Sequence, residues 1–264
     1  MMQKNEDDLL RPWLAYHAYL FGPENLYVFD NGSDSDRCHA ILDDFSRRGV
    51  HCDRSYASPA GFDAKGALVG DLIRQLDATG DFDLFLPLDC DEFVCLQQPD
   101  GAIVAERDAI RAHLAEFLGF RDVLQIRGSY FNAYPQPRRY YFFKERATLF
   151  TAGTIASLDR GFHDGRWLAS ARQRETALVH LHYHNTPFAL LLAHAREKLR
   201  GRVADFEPAT LRAYHGDGAH LIHYFLMSEA RYLANFRARD LVHIDALADR
   251  LAQLGFAEPF AAGS

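Results

Sequence analysis

Short apolar segments alternate with amphipathic helical segments over the first half of the chain, and this alternation constrains the fold more than any other feature. Helical spacing of apolar residues predicts three helices, one over 9–21, one that ends at Gly49 and one over 62–78. Short apolar runs predict three strands, at 26–29, 50–54 and 82–88. Strands that alternate with helices form a mostly parallel sheet with helices on both faces.

The second half of the chain is less regular. It predicts helices over 107–118 and 187–199 and strands at 123–127, 139–143, 154–158 and 177–183, and the remainder, 208–254, is helical in pattern. We therefore expect an α/β fold with a mixed, mostly parallel sheet flanked by helices. No linker rich in Ser, Gly or Pro divides the chain. The expected organisation is one domain over 1–205 with a helical C-terminal extension, 206–264, packed on it.

Charge and cysteine content limit the function classes. The chain has 36 acidic and 29 Lys and Arg residues, for a net charge of -7, which argues against a broadly basic nucleic-acid surface. Its four cysteines form no Cys-x-x-Cys pair and follow no signal peptide, so we expect reduced thiols in a cytoplasmic protein. No apolar run approaches the roughly 20 residues that span a bilayer, so membrane contact is expected to be peripheral at most.

The segment Asp89-Cys90-Asp91-Glu92-Phe93 follows the apolar run at 82–88 directly. In open α/β sheets, ligands bind at the carboxyl ends of strands. Two carboxylates at i and i+2 can bind a hard divalent cation, and a bound diphosphate supplies further oxygen ligands. Charge at the edge of an apolar core is costly unless a ligand or metal compensates it. The segment therefore predicts a metal site for a nucleotide sugar, with a solvated acidic turn as the alternative.

An aspartyl phosphatase of the haloacid dehalogenase type also places two aspartates after a strand and binds magnesium. That family requires Thr or Val two positions after the second Asp, where this chain has Phe93. Two strand and helix units also precede the motif here. The sequence therefore disfavours the phosphatase.

Two further groups of residues are candidates for a ligand site. The turn Asp30-Asn31-Gly32-Ser33-Asp34 follows a predicted strand, and its Asp and Asn side chains are suited to hydrogen bonds with a base or ribose. His180, His182 and His184 alternate along another strand, which predicts that all three lie on one face. They are candidates for a three-imidazole zinc site, for one ligand to the metal at Asp89 and Asp91, or for a polar surface.

Four single residues are weaker candidates for the ligand site. Lys144 and Lys198 are suited to neutralising a diphosphate. His163 and Asp164 follow a glycine, where they are candidates for the acceptor or leaving-group side of a reaction. A solvated helix face or a plain loop remains the alternative for each of them.

Together these motifs resemble the glycosyltransferases of the GT-A fold, specifically the family 2-like group related to family 92. The resemblance covers about residues 5 to 201. It rests on an Asn-Glu pair before a Trp-Leu-x-Tyr-His helix, a Tyr-x-x-Asp-Asn-x-Ser-x-Asp loop, an Asp-x-Asp-Glu-Phe motif and a His-Tyr pair followed by Lys and Arg-Gly. In this chain these are Asn5-Glu6, 13–17, 27–36, 89–93, His182-Tyr183, Lys198 and Arg200-Gly201. In the loop, Asp36 fills the last acidic position, and Asp34 lies beside it.

The resemblance implies a role for each matching residue. Asp89, Asp91 and His182 are expected to bind Mn²⁺ or Mg²⁺. Contacts to the nucleotide-diphosphate sugar are expected from Asn5, Glu6, Asp30, Asn31, Ser33, Lys65, Lys144 and Lys198. The candidates for deprotonating the acceptor hydroxyl are Asp164, His163 and Glu92.

The expected activity is metal-dependent transfer of a sugar from a UDP or GDP donor to a glycan or other hydroxyl acceptor, with a place in bacterial surface polysaccharide synthesis. No nucleic-acid partner is expected. Two alternatives belong to other classes. One is a catalytically inactive module that binds nucleotide or glycan, and the other is a zinc hydrolase at the three histidines.

Overall fold

The computed structural model describes residues 1–145, 147–163, 165–168, 171–237 and 239–260. The architecture is mixed α/β. Its helices are α1 (Leu10–Phe21), α2 (Asp36–Arg47), α3 (Pro59–Asp63), α4 (Lys65–Thr79), α5 (Arg107–Ala115), α6 (Phe188–Leu199), α7 (Pro208–Ala213), α8 (Ile222–Phe225), α9 (Glu229–Arg237) and α10 (Ala246–Gln253).

The strands are short and divide among four sheets. They are β1 (Met2–Gln3), β2 (Tyr27–Asp30), β3 (His51–Asp53), β4 (Leu84–Phe85), β5 (Glu92–Gln97), β6 (Ile103–Val104), β7 (Asp122–Gln125), β8 (Gly128–Asn132), β9 (Arg139–Phe143), β10 (Thr148–Thr151), β11 (Ile155–Ser157), β12 (Arg166–Trp167), β13 (Arg172–Glu175), β14 (Leu178–His182) and β15 (Val242–His243). The strand orders are β1-β2-β3, β13-β7-β10-β4, β11-β12 and β15-β9-β8-β14-β5-β6.

The sheets are mixed, as expected, but the expectation that they are mostly parallel is wrong. Among the described strand pairs, four are parallel and seven are antiparallel. Neighbouring parallel strands need a connection of a dozen or more residues, and the helical connections in the first half of the chain are long enough. Several connections in the second half are too short, as between β8 and β9, so those strands pair as hairpins.

The expected strand over 82–88 is also shorter than predicted, because only β4 forms within it. Pro87 lacks the N–H that a strand ladder needs. The continuous strand in this region is β5, which begins inside the acidic motif at Glu92. The aspartates therefore lie in a turn between two strands.

The central strand β14 determines which side chains meet at the site. It pairs in parallel with β8 and antiparallel with β5, which places His182 opposite both Phe131 and Glu92. Directly paired residues point to the same face of a sheet, and residues two positions apart do so as well. His180 and His182 therefore share a face with Glu92 and Phe131.

Helix α1 fixes β5 from the other side. Trp13 donates its indole N–H to the carbonyl of Glu92 at 2.9 Å, and the hydroxyl of Tyr16 donates to the carbonyl of Val94 at 2.7 Å. The ring of Tyr16 is fully buried and lies 5.8 Å from the ring of Phe93. These contacts hold the beginning of β5, and so the acidic turn before it, against the main core.

The C-terminal segment also contributes to the main core, through Ile244, Leu247 and Leu251. Its strand β15 extends the six-stranded sheet by pairing with β9. Within the described residues, no helix combines the length and the apolar character that crossing a membrane requires.

We predict that Tyr16→Phe lowers the free energy of unfolding by about 1 kcal/mol, because it removes a buried hydrogen bond to the Val94 carbonyl. Chemical denaturation followed by circular dichroism measures the change. Tyr27→Phe is the matched control, since the Tyr27 hydroxyl donates to none of the described residues. Equal stability of the two variants would contradict the prediction.

Candidate functional site

The acidic motif forms a turn that Glu92 holds in place. The backbone N–H of Glu92 donates to the carbonyl of Asp89 at 3.1 Å, and Glu92 Oε2 accepts the Asp89 N–H at 2.8 Å. Glu92 is only 3% exposed. Its carboxylate therefore positions the turn, and the structure does not present it to a ligand at the surface.

Asp89 is paired with a buried cation. Lys65, the first residue of α4, is 5% exposed, and its Nζ lies 2.7 Å from Asp89 Oδ1 and 4.3 Å from the centre of the Phe162 ring. Burial raises the pKa of Asp89 above its ordinary value, although the charge of Lys65 acts in the opposite direction. Lys65 was predicted to contact the nucleotide sugar, and in the structure it forms an ion pair with Asp89 of the acidic motif.

Asp91 faces the end of the central strand, where His182 lies between two carboxylates. His182 Nε2 is 3.1 Å from Asp91 Oδ2, and His182 Nδ1 is 3.3 Å from Glu145 Oε2. Burial alone would lower the pKa of His182, but Asp91 and Glu145 outweigh it and raise that pKa well above its usual value. Burial alone would raise the pKa of Asp91, and His182 reverses this shift, so that the pKa is lowered.

Two groups of side chains in the described residues have the donor set and spacing for a metal ion. One comprises Asp91, His182 and His184, and the other comprises Glu92, Glu145 and His182, with ligand atoms within 4.8 Å of one another in each. Two imidazoles and one carboxylate suit Mn²⁺, Fe²⁺, Co²⁺ or Zn²⁺ and leave coordination positions for a ligand. Asp91 and His182 thus fit the predicted metal site, whereas Asp89 belongs to neither group.

His180 is separate from this ligand set. It is fully buried, and its Nδ1 lies 3.3 Å from Glu92 Oε1, but neither ring nitrogen makes a hydrogen bond within the described structure. It shares a strand face with His182, as predicted. Neither metal group includes it, so a zinc site of all three histidines is not assembled.

A pair of asparagines fixes the chain beyond β14. Asn185 donates its backbone N–H to Asn132 Oδ1 at 2.9 Å, and Asn132 donates its side-chain amide to the Asn185 carbonyl at 2.7 Å. The Asn185 amide also donates to the Asn132 carbonyl at 2.6 Å. We call this pair the asparagine clamp. The exposed His184 lies between the end of β14 and Asn185, so the clamp holds its backbone next to His182.

The predicted nucleotide loop is ordered by hydrogen bonds among its own residues. Asp30, which is 2% exposed, accepts from the Ser33 hydroxyl at 2.6 Å and from the Gln3 amide at 2.7 Å. Asn31 donates to the carbonyl of Ser58 at 2.8 Å, and the Asn5 backbone N–H donates to the Ser33 hydroxyl at 3.0 Å. The structure thus brings Asn5, Asp30 and Ser33 together in one hydrogen-bonded network, in which Asp30 and Ser33 are buried and Asn5 is half-buried.

Glu6 lies close enough to the acidic turn to be affected by its charge. Burial and the charge of Asp91 raise the pKa of Glu6 and Lys198 acts in the opposite direction, and the result is a pKa of about 8. Lys198 and Lys144 are both exposed. Glu6 and Lys198 are thus close enough to the candidate metal ligands for their charges to interact. Their contacts to a nucleotide, and that of Lys144, stay predictions.

Glu145 is the site residue that the sequence analysis missed. It lies between β9 and β10, and besides its contact with His182 its Oε1 is 3.8 Å from His163 Nε2. The predicted catalytic residue His163 is therefore at the site. Asp164, its predicted neighbour, lies outside the described residues.

No protein-family model matches the sequence, and no curated protein matches it. The functional interpretation therefore rests on the residues and their geometry.

We predict that His184→Ala weakens Mn²⁺ binding at least roughly tenfold, because it removes one of three proposed ligands. Isothermal titration calorimetry measures the affinity. His215→Ala is the control, since His215 is exposed and belongs to neither metal group. Equal Mn²⁺ affinity in the two variants would exclude His184 as a ligand.

We also predict that Glu6 makes the free energy of unfolding fall as pH rises from about 5 to about 8 in metal-free protein. The pKa of Glu6 is about 8 in the folded state, against 4.5 ordinarily. Between these values the folded state holds a proton that the unfolded state has lost, which costs up to about 1.4 kcal/mol per pH unit.

Urea denaturation of the wild type and Glu6→Gln, with a chelator at several pH values, tests this. The variant is expected to gain stability relative to the wild type as the pH rises. A constant difference from pH 5 to 8 would refute the assignment.

Proposed function

We propose that the protein is a metal-dependent glycosyltransferase with a GT-A fold. The proposed reaction moves a sugar from a UDP or GDP donor to a glycan or other hydroxyl acceptor, within bacterial surface polysaccharide synthesis. The observation that supports it most is the group of Asp91, His182 and His184, whose ligand atoms lie within 4.8 Å of one another.

The position of this group supports a diphosphate ligand. The acidic turn precedes β5, and the histidines lie at the end of β14, so the ligands gather where two adjacent strands meet their loops. Of these two strand ends, that of β14 is a carboxyl end, which is where ligands usually bind in α/β sheets. A three-residue ligand set leaves positions open for phosphate oxygens, and its imidazoles favour Mn²⁺ over Mg²⁺.

Each part of the site has a proposed role. When bound, the cation supplies positive charge that offsets the negative charge developing on the leaving diphosphate. Asp91, His182 and His184 would hold it. Lys198, whose charge acts on His184, is an exposed cation suited to a phosphate. Glu92 orients the turn through the Asp89 N–H, and it is not proposed as the base because it is buried.

Two groups are proposed to take the proton of the acceptor hydroxyl. Glu145 and His163 approach each other to 3.8 Å beside the metal ligands. The imidazole of His163 is 42% exposed and can meet an acceptor, and Glu145 can orient it or accept the proton itself. Asp164 remains a prediction from the sequence.

The compartment is also a proposal. All four cysteines are free thiols. This supports a location in the reducing cytoplasm, where structural disulfides are rare.

We predict that purified protein releases UDP or GDP from one nucleotide sugar in a Mn²⁺-dependent manner and that Asp91→Asn slows the release by about 100-fold or more. Slow hydrolysis of the donor needs no acceptor. Asp81→Asn is the control, since Asp81 is exposed and belongs to neither metal group. Coupled detection of the free nucleotide measures the rate.

Other outcomes separate the alternatives. Nucleotide binding with Mn²⁺ but no release, with or without sugar acceptors, would favour a binding module without turnover. Failure to bind any nucleotide with either metal would refute the proposed function.

A further inference from the structure

An exposed aromatic side chain stands beside the proposed metal ligands. Phe143, the last residue of β9, is 52% exposed, although large apolar side chains are usually covered. In the sheet register it lies opposite Ser129, and Tyr141 lies opposite Phe131. Phe143 therefore projects from the face of the sheet that also bears Phe131 and His182.

A continuous set of rings connects Phe143 to the metal ligands. The ring centres of Phe143 and Phe131 are 5.4 Å apart. Phe131 in turn lies 4.5 Å from the ring of His182 and 5.1 Å from the ring of His184. One buried ring, Phe131, thus separates the exposed ring from the proposed ligands.

Polar groups lie next to this exposed ring. Glu145 follows two residues later and contacts His182 and His163. The intervening Lys144 is exposed. A surface with a bare aromatic face, a carboxylate and imidazoles resembles the pattern of a ligand pocket, in which apolar contact is combined with a few polar groups.

This combination fits a pyranose ring. One face of a pyranose presents C–H groups, which pack on an aromatic ring, and its edge presents hydroxyls, which hydrogen-bond to carboxylates and imidazoles. A nucleotide base would also stack on a phenyl ring. However, the predicted nucleotide loop is on the separate β1-β2-β3 sheet. Phe143 instead accepts a backbone hydrogen bond from Glu145, whose carboxylate approaches His163.

We propose that Phe143 forms the acceptor subsite, on which a sugar ring of the acceptor stacks with its hydroxyl edge towards Glu145 and His163. This inference rests on the proposed glycosyl transfer and extends it by naming a carbohydrate as the acceptor class.

Phe142 provides a matched control within the same strand. It is 47% exposed, close to the value for Phe143. It projects from the opposite face, where it lies opposite Tyr130 with ring centres 5.2 Å apart and packs over Gly128. General effects of removing an exposed phenyl ring from β9 will therefore be present in both variants.

The test measures sugar binding directly, by saturation-transfer NMR with Mg²⁺ and UDP or GDP present. The probes are the methyl α- and β-glycosides of glucose, galactose, mannose and N-acetylglucosamine. We expect saturation transfer from the wild type and Phe142→Ala to the ring protons of at least one probe. Phe143→Ala is expected to raise the Kd of that probe roughly five- to tenfold, and Phe143→Tyr is expected to restore it.

Three results would overturn the subsite. These are no saturation of any probe by the wild type, equal Kd values for Phe143→Ala and the wild type, and an equal loss in Phe142→Ala. Nucleotide release by the wild type without acceptor tests the proposed function separately. Release without sugar binding at Phe143 overturns the subsite alone, whereas the absence of both release and nucleotide binding overturns the transferase.

Discussion

The central constraint in this structure is the placement of four carboxylates, one buried and three partly buried, at the end of a sheet. A buried carboxylate is tolerated only when a cation or several hydrogen bonds offset its charge. The charge of Lys65 offsets that of Asp89, and the imidazole of His182 lies between Asp91 and Glu145, within hydrogen-bond distance of both. These contacts connect α4, the acidic turn, β14 and Glu145. The residues of the candidate site therefore also connect these elements to one another.

The elements with regular apolar spacing were predictable from the sequence. Helix α1 was predicted over 9–21 and forms over Leu10–Phe21, and β2 lies within one residue of its predicted place. The strand β5 was not predicted, because it begins with acidic residues and then continues without the polar alternation that marks a half-exposed strand. The sheet order was not predictable either, since it depends on pairing between segments far apart in sequence.

The candidate site was predictable to the extent that its residues form local motifs. Asp91 and His182 belong to such motifs, and the structure brings them within 3.1 Å. Glu145 has no motif of its own, because its role arises from contacts with His182 and His163, which are far away in the chain. The ion pair of Lys65 with Asp89 was missed for the same reason, although the sequence analysis had selected both residues for ligand roles.

The asparagine clamp has a mechanical consequence for the segment that carries His184. Asn132 and Asn185 extend the attachment of the central strand to β8 beyond the end of the β14 ladder, using side-chain amides in place of a longer strand. His184 therefore lies between two fixed points, the strand ladder that ends at His182 and the amide pair at Asn185. Helix α9 follows this anchor in the chain and packs with Tyr232 and Phe236 on Phe131 of the same sheet. The short segment with the exposed imidazole is thus held at both ends.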